Sequence, residues 1–76
     1  MTGTGVAIIL PKKGTQGELL DSLLNFMRAS GPEFASEAVE RWVRMVIDEH
    51  VMKPNAAIAL STYASIVYSS EQQSNN

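Results

Sequence analysis

The 76-residue chain has no cysteine and a single histidine, His50. Disulfide staples are therefore excluded, and so is an all-protein zinc site built on the usual Cys and His donors. Thiol nucleophiles go with them. With one histidine, and serines clustered in helix interiors and the polar tail, no nucleophilic triad can be assembled either. Charge is sparse: six Lys and Arg stand against eight Asp and Glu, for a formal net charge of −2. No global basic field is there to drive non-specific binding to nucleic acid. Long apolar runs are missing as well. The stretch at residues 56–68 is interrupted by Ser61, Thr62 and Ser65, and a membrane span needs about 20 apolar residues. The run at residues 6–10 is too short for a signal-peptide core, and Met1-Thr2-Gly3-Thr4-Gly5 has no positive region before it. A cytoplasmic chain with no membrane role is the expectation, and zero cysteines accord with a reducing compartment.

What is present points to a folded domain. Apolar residues make up 45% of the chain and charged residues 18%, which is too apolar for intrinsic disorder. A chain of this size buries little, so hydrophobic gain and ordering entropy nearly cancel. Small domains make up the difference with disulfides, a metal or a partner chain. With the first two excluded, a homodimer or a larger protein partner is expected, and no cofactor.

Punctuation divides the chain into a flexible leader at 1–5, a single small domain at 6–70 and a disordered tail at 71–76. Val6-Ala7-Ile8-Ile9-Leu10, stopped by Pro11, reads as a short strand. Because it does not alternate, both its faces should be covered. Thr15 and Glu18 then form a Thr-x-x-Glu capping box. Leu19, Leu20, Leu23, Leu24, Phe26 and Met27 follow at helical period. Gly31 in a left-handed conformation and Pro32 end a helix predicted over residues 16–30.

A second helix starts after Pro32 and runs to about His50, with Ala35, Ala38, Val39, Trp42, Val43, Val46 and Ile47 on its apolar face. Glu37 with Arg41 and Glu40 with Arg44 are i,i+4 pairs in the favourable acid-first order. Met45 widens the apolar arc beyond what one neighbouring helix covers. After Pro54, Asn55 reads as an N-cap, and residues 56–69 as a third, alanine-rich helix. The fold class is therefore mainly α, a short strand followed by three helices. The alternation of Ile58, Leu60, Thr62, Ala64, Ile66 and Tyr68 keeps a β-α-α-β alternative open, with residues 62–68 as a strand.

Candidate chemistry is thin. Asp48, Glu49 and His50 are consecutive, and helix neighbours point about 100° apart, so the three do not converge on one ion. Gly14-Thr15-Gln16-Gly17 lacks the lysine of a phosphate-binding P-loop. Asp21-Ser22-Leu23 resembles the phosphopantetheine attachment motif of acyl carrier proteins, but Ser22 stands inside the first helix rather than opening the second. Trp42 is expected in a core or an interface, and Tyr63 and Tyr68 with rings inward and hydroxyls toward water. No catalytic residue, cofactor site or metal site is assigned, and the chain is read as no enzyme.

Leu10-Pro11, then Glu18-Leu19-Leu20-Asp21-Ser22-Leu23, then Gly31 and Ser36-Glu37-Ala38-Val39-Glu40-Arg41-Trp42-Val43-Arg44 resemble, in order, the elements of ribbon-helix-helix proteins. The resemblance covers residues 6–50. It implies an intertwined dimer with paired strands and a DNA-binding regulator, with Lys12, Lys13, Arg41 and Arg44 as the phosphate contacts. The apolar faces of residues 6–10 offer base edges little beyond thymine methyl contacts, so DNA binding ranks second. The leading expectation is a non-enzymatic helical module that dimerises or docks on a larger protein. Its interface candidates are Ile8, Ile9, Leu23, Phe26, Met27, Trp42, Met45 and Val46.

Overall fold

A computed structural model describes Ile8, Leu10 and residues 14–74. Among these residues three helices form, α1 at Gln16–Ser30, α2 at Ala35–Asp48 and α3 at Pro54–Ser74, and a 3₁₀ turn at Pro32–Phe34 joins the first two. Each helix packs against both of the others.

The start of α1 is set by the capping box. Thr15 Oγ1 accepts from the Glu18 backbone N–H at 3.2 Å, and the Thr15 N–H donates to Glu18 Oε1 at 3.2 Å. Two of the four orphan donors at a helix start are thereby satisfied. At the other end the Gly31 N–H donates to the Met27 carbonyl. Gly31 has φ 89° and ψ 162°, a positive-φ extended conformation rather than the left-handed helical one expected, and one that glycine alone adopts at no cost. Pro32 then starts the 3₁₀ turn, so α2 itself begins only at Ala35, after that turn rather than directly after the proline. It ends at Asp48, and His50, expected in its last turn, lies beyond it with φ 58°.

The core follows the helical spacing read from α1 and α2. Leu19, Leu23, Leu24, Phe26 and Met27 of α1 meet Ala38, Trp42 and Val46 of α2 and Ala57, Ala64 and Tyr68 of α3. Trp42, Leu23, Met27 and Val46 are the largest fully buried side chains. Burying the indole would strand its N–H, and Trp42 Nε1 donates to Ser22 Oγ at 3.2 Å. Among the described residues no buried side-chain nitrogen or oxygen lacks a partner.

The strand alternative for residues 62–68 is corrected: they lie in the middle of α3. Small residues decide this. Ala57, Ser61, Ala64 and Tyr68 recur at steps of four and three and form the buried stripe of α3, so the other helices can approach its backbone closely. The hydroxyls along this segment bond back to helix carbonyls: Ser61 Oγ and Thr62 Oγ1 to Ile58, and Ser65 Oγ to Ser61. Asn55 is not the cap, because Pro54 occupies the first helical position, where its missing N–H costs nothing. The helix also continues through residues 71–74, which were expected in a disordered tail. Arg28 of α1 holds this extension, with Nε donating to Glu71 Oε1 at 2.9 Å and Nη2 to Oε2.

Ile8 and Leu10 are half-buried and packed against the core. The rest of the strand expected at residues 6–10, and the leader at 1–5, lie outside the described residues.

Candidate functional site

Five of the eight interface candidates are covered within the chain itself. Leu23, Phe26, Met27, Trp42 and Val46 are buried in the three-helix core, so they need no second copy to leave water. Sequence pattern marks a face as apolar without saying which element covers it, and here α3 does. Met45 and Ile8 are half-buried, and Ile9 lies outside the described residues. Of the basic candidates, Lys12 and Lys13 also lie outside them, while Arg41 and Arg44 are exposed on α2. Neither predicted i,i+4 ion pair closes. The Arg41 guanidinium instead lies 5.7 Å from the centroid of the Phe26 ring, a cation–π contact that roofs a core side chain. An exposed pair in water contributes too little to hold Arg41 elsewhere.

Ser22, in the acyl-carrier-like tripeptide, is half-buried and accepts the Trp42 indole N–H. Among the described residues no group of three or more His, Cys, Asp or Glu side chains is placed to hold a metal ion. No helix there is long and apolar enough to cross a membrane. The Arg28 bridge shifts both of its partners: its hydrogen bonds hold the Glu71 carboxyl below its ordinary range and raise the guanidinium further. Arg28 Nη1 also donates to Asn25 Oδ1 at 3.0 Å, so the pair staples the end of α3 to α1.

The surface that stands out is on α3. Ile58, Tyr63 and Ile66 are each more than half exposed, at 56%, 54% and 61%. Tyr63 thus departs from the expected inward ring, while Tyr68 is buried as expected. Seventeen consecutive residues, 54–70, carry no charge, and Glu71 is the one charged side chain in the 21-residue helix. Every exposed position between Pro54 and Ser70 is therefore apolar or neutral polar.

This face borders a seam between α2 and α3. One part is an open groove of about 430 Å³ whose floor is Val39, Val43, Ile47 and Ile58, with Glu40, Arg44 and Asp48 at its edge. A second part, of about 600 Å³, continues past Val39 and Glu40 toward Pro32, Ser65 and Gln72. The Ser61 and Ser65 hydroxyls in the seam are already donated to helix carbonyls. The seam thus offers aliphatic surface and an edge of mixed charge.

Sequence reasoning passed over Ile58, Tyr63 and Ile66 as members of this face. The signal was present in the long uncharged run and in apolar residues distributed all round the helix, a pattern found where both sides of a helix are covered. Compared with protein-family models, curated proteins and solved structures, the chain matches none of them.

Proposed function

We propose that this chain is a non-enzymatic helical interaction module that works in the cytoplasm by dimerising or docking on a larger protein through the outward face of α3. The observation that carries this is the charge-free run at residues 54–70 with Ile58, Tyr63 and Ile66 more than half exposed. Soluble surfaces intersperse charges of both signs, and a contiguous apolar patch with a polar rim marks a contact site. The surrounding Asn55, Ser69 and Ser70 supply such a rim without adding charge. Support also comes from Ala57, Ser61 and Ala64, which seat the inner side of α3 on the core and so hold the outer side rigid.

A photo-activated cross-linking residue in place of Ile66, compared with the same residue in place of Glu37 on α2, tests the reading in an extract of the native source. Protein adducts formed from position 66 and not from position 37 are the expected result. Absence of any adduct from position 66, its own copy included, overturns it. A ribbon-helix-helix-type regulator predicts instead a gel shift that weakens steeply with salt.

A further inference from the structure

We propose that the occupant of the α3 face is a second copy of this chain, packed with its own α3 antiparallel about a two-fold axis at Thr62. The proposal rests on the interaction-module reading and names its partner.

The argument starts from the order of residues on the face. At 100° per residue, the residues from 55 to 69 that share one side of α3 are Asn55, Ile58, Ala59, Thr62, Ser65, Ile66 and Ser69. Read from either end, their order is polar, Ile, small, Thr, small, Ile, polar. A two-fold contact needs this kind of self-complementarity, because residue i must meet j while j meets i. With the axis at Thr62, Ile58 of one copy lies level with Ile66 of the other, about 6 Å from the centre on either side at 1.5 Å per residue. Asn55 lies level with Ser69, and Ala59 with Ser65. Two isoleucine layers thus flank a central layer of two threonines. The Thr62 hydroxyl is donated to the Ile58 carbonyl at 3.1 Å, so no polar hydrogen is stranded when that layer closes. Ala59 and Ser65 keep the flanks small enough for the helices to approach.

Charge points the same way. Each chain carries a net charge of −2, yet residues 54–70 hold none of it. Two copies can therefore meet on this face without facing like charges, whereas a charged partner would find nothing on it to recognise. The antiparallel arrangement also sets the two helix dipoles head to tail. Area sets the strength. The 21 residues of α3 span about 31 Å, and one strip a helix wide falls below the roughly 800 Å² per partner of a standard stable complex. The dimer should dissociate in the micromolar range.

The test uses the full chain, which has no native cysteine to interfere. Sedimentation from about 1 to about 500 µM should show the wild type passing from monomer to dimer. Ile66→Glu should stay monomeric throughout with an unchanged circular dichroism spectrum, since Ile66 is exposed. Under mild oxidation Thr62→Cys should form a disulfide dimer at least tenfold faster than Asp21→Cys, which sits on exposed α1 surface. A mixture of Ile58→Cys and Ile66→Cys chains should cross-link as the heterodimer. Homodimers of Ile58→Cys alone would show parallel pairing and overturn the arrangement. A wild type that remains monomeric across the range, or equal rates for Thr62→Cys and Asp21→Cys, overturns the second copy as occupant. If position 66 still cross-links to other proteins in that case, the interaction-module reading stands without it.

Discussion

Replacing His50 by glycine should make the protein more stable, and the reason lies in how α2 ends. The His50 N–H donates to the Ile47 carbonyl at 3.1 Å, and the Val51 N–H to the Val46 carbonyl at 2.9 Å. These are the two bonds of a Schellman motif, with Glu49 as the C-cap and His50 at the left-handed position after it. His50 accordingly has φ 58°, a conformation that costs an L-residue about 1–2 kcal/mol. Glycine escapes that cost, but its freer unfolded chain offsets about 0.4–1 kcal/mol. The His50 side chain is exposed, so its removal forfeits little packing. The net gain is about 0.5–1 kcal/mol, or about 3–6 °C in Tm for a domain of this size. Thermal and urea denaturation followed by circular dichroism would measure it, with Asp48→Gly as the contrast. Asp48 is the last residue of α2, and glycine within the helix costs up to about 1 kcal/mol. Were His50 a helix residue, as its sequence context suggests, His50→Gly would also lower Tm. A lowered Tm would refute the left-handed assignment.

Thr15→Ala removes the Thr15 Oγ1 acceptor of the capping box and should lower stability by about 0.5–2 kcal/mol, read as a reduced denaturation midpoint. Ala64→Leu forces three extra carbons into a fully buried position and should cost about 1–3 kcal/mol. Ala56→Leu, at an exposed position of α3 outside the proposed contact face, should leave the urea midpoint nearly unchanged. Glu71 has a carboxyl lowered by its hydrogen bonds from Arg28, so its contribution is present above the ordinary carboxylate range and is lost as pH falls through the folded-state value. Hydrogen exchange at residues 70–74 should therefore speed up on acidification in the wild type, beyond the intrinsic rate change, and be fast at all pH values in Glu71→Gln.

Local signals needed no tertiary context. Thr15 and Glu18 can satisfy each other's backbone donors within one turn, and Gly31-Pro32 stops a helix whatever lies nearby. The start and end of α1 are accordingly legible from residues 15–32 alone. So is the burial of Leu23, Met27, Trp42 and Val46, because apolar side chains at three- and four-residue steps make one face and that face leaves water. Which surface would cover that face was not legible. The helices were read as having apolar area to spare for a partner, because Met45 widens the apolar arc of the second helix beyond what one neighbour covers. The inner stripe of α3 is made of Ala57, Ser61 and Ala64, small residues that mark close approach of a backbone only once another backbone is there. The same ambiguity kept a strand open as the alternative for residues 62–68, since alternation in a short apolar segment fits either period. Packing resolved it by pulling the small side of α3 inward, and that choice turned Ile58, Tyr63 and Ile66 out toward solvent. His50 belongs with these cases. No residue in Asp48-Glu49-His50-Val51 is a glycine that would announce a left-handed turn, and the chain reverses there because Val51 and Met52 must come back onto the core. Sequence by itself determined where α1 begins and which faces are greasy, because both are set by contacts within a turn or two. Only the tertiary structure decided which greasy face stays outside, because that depends on how closely three helices can approach.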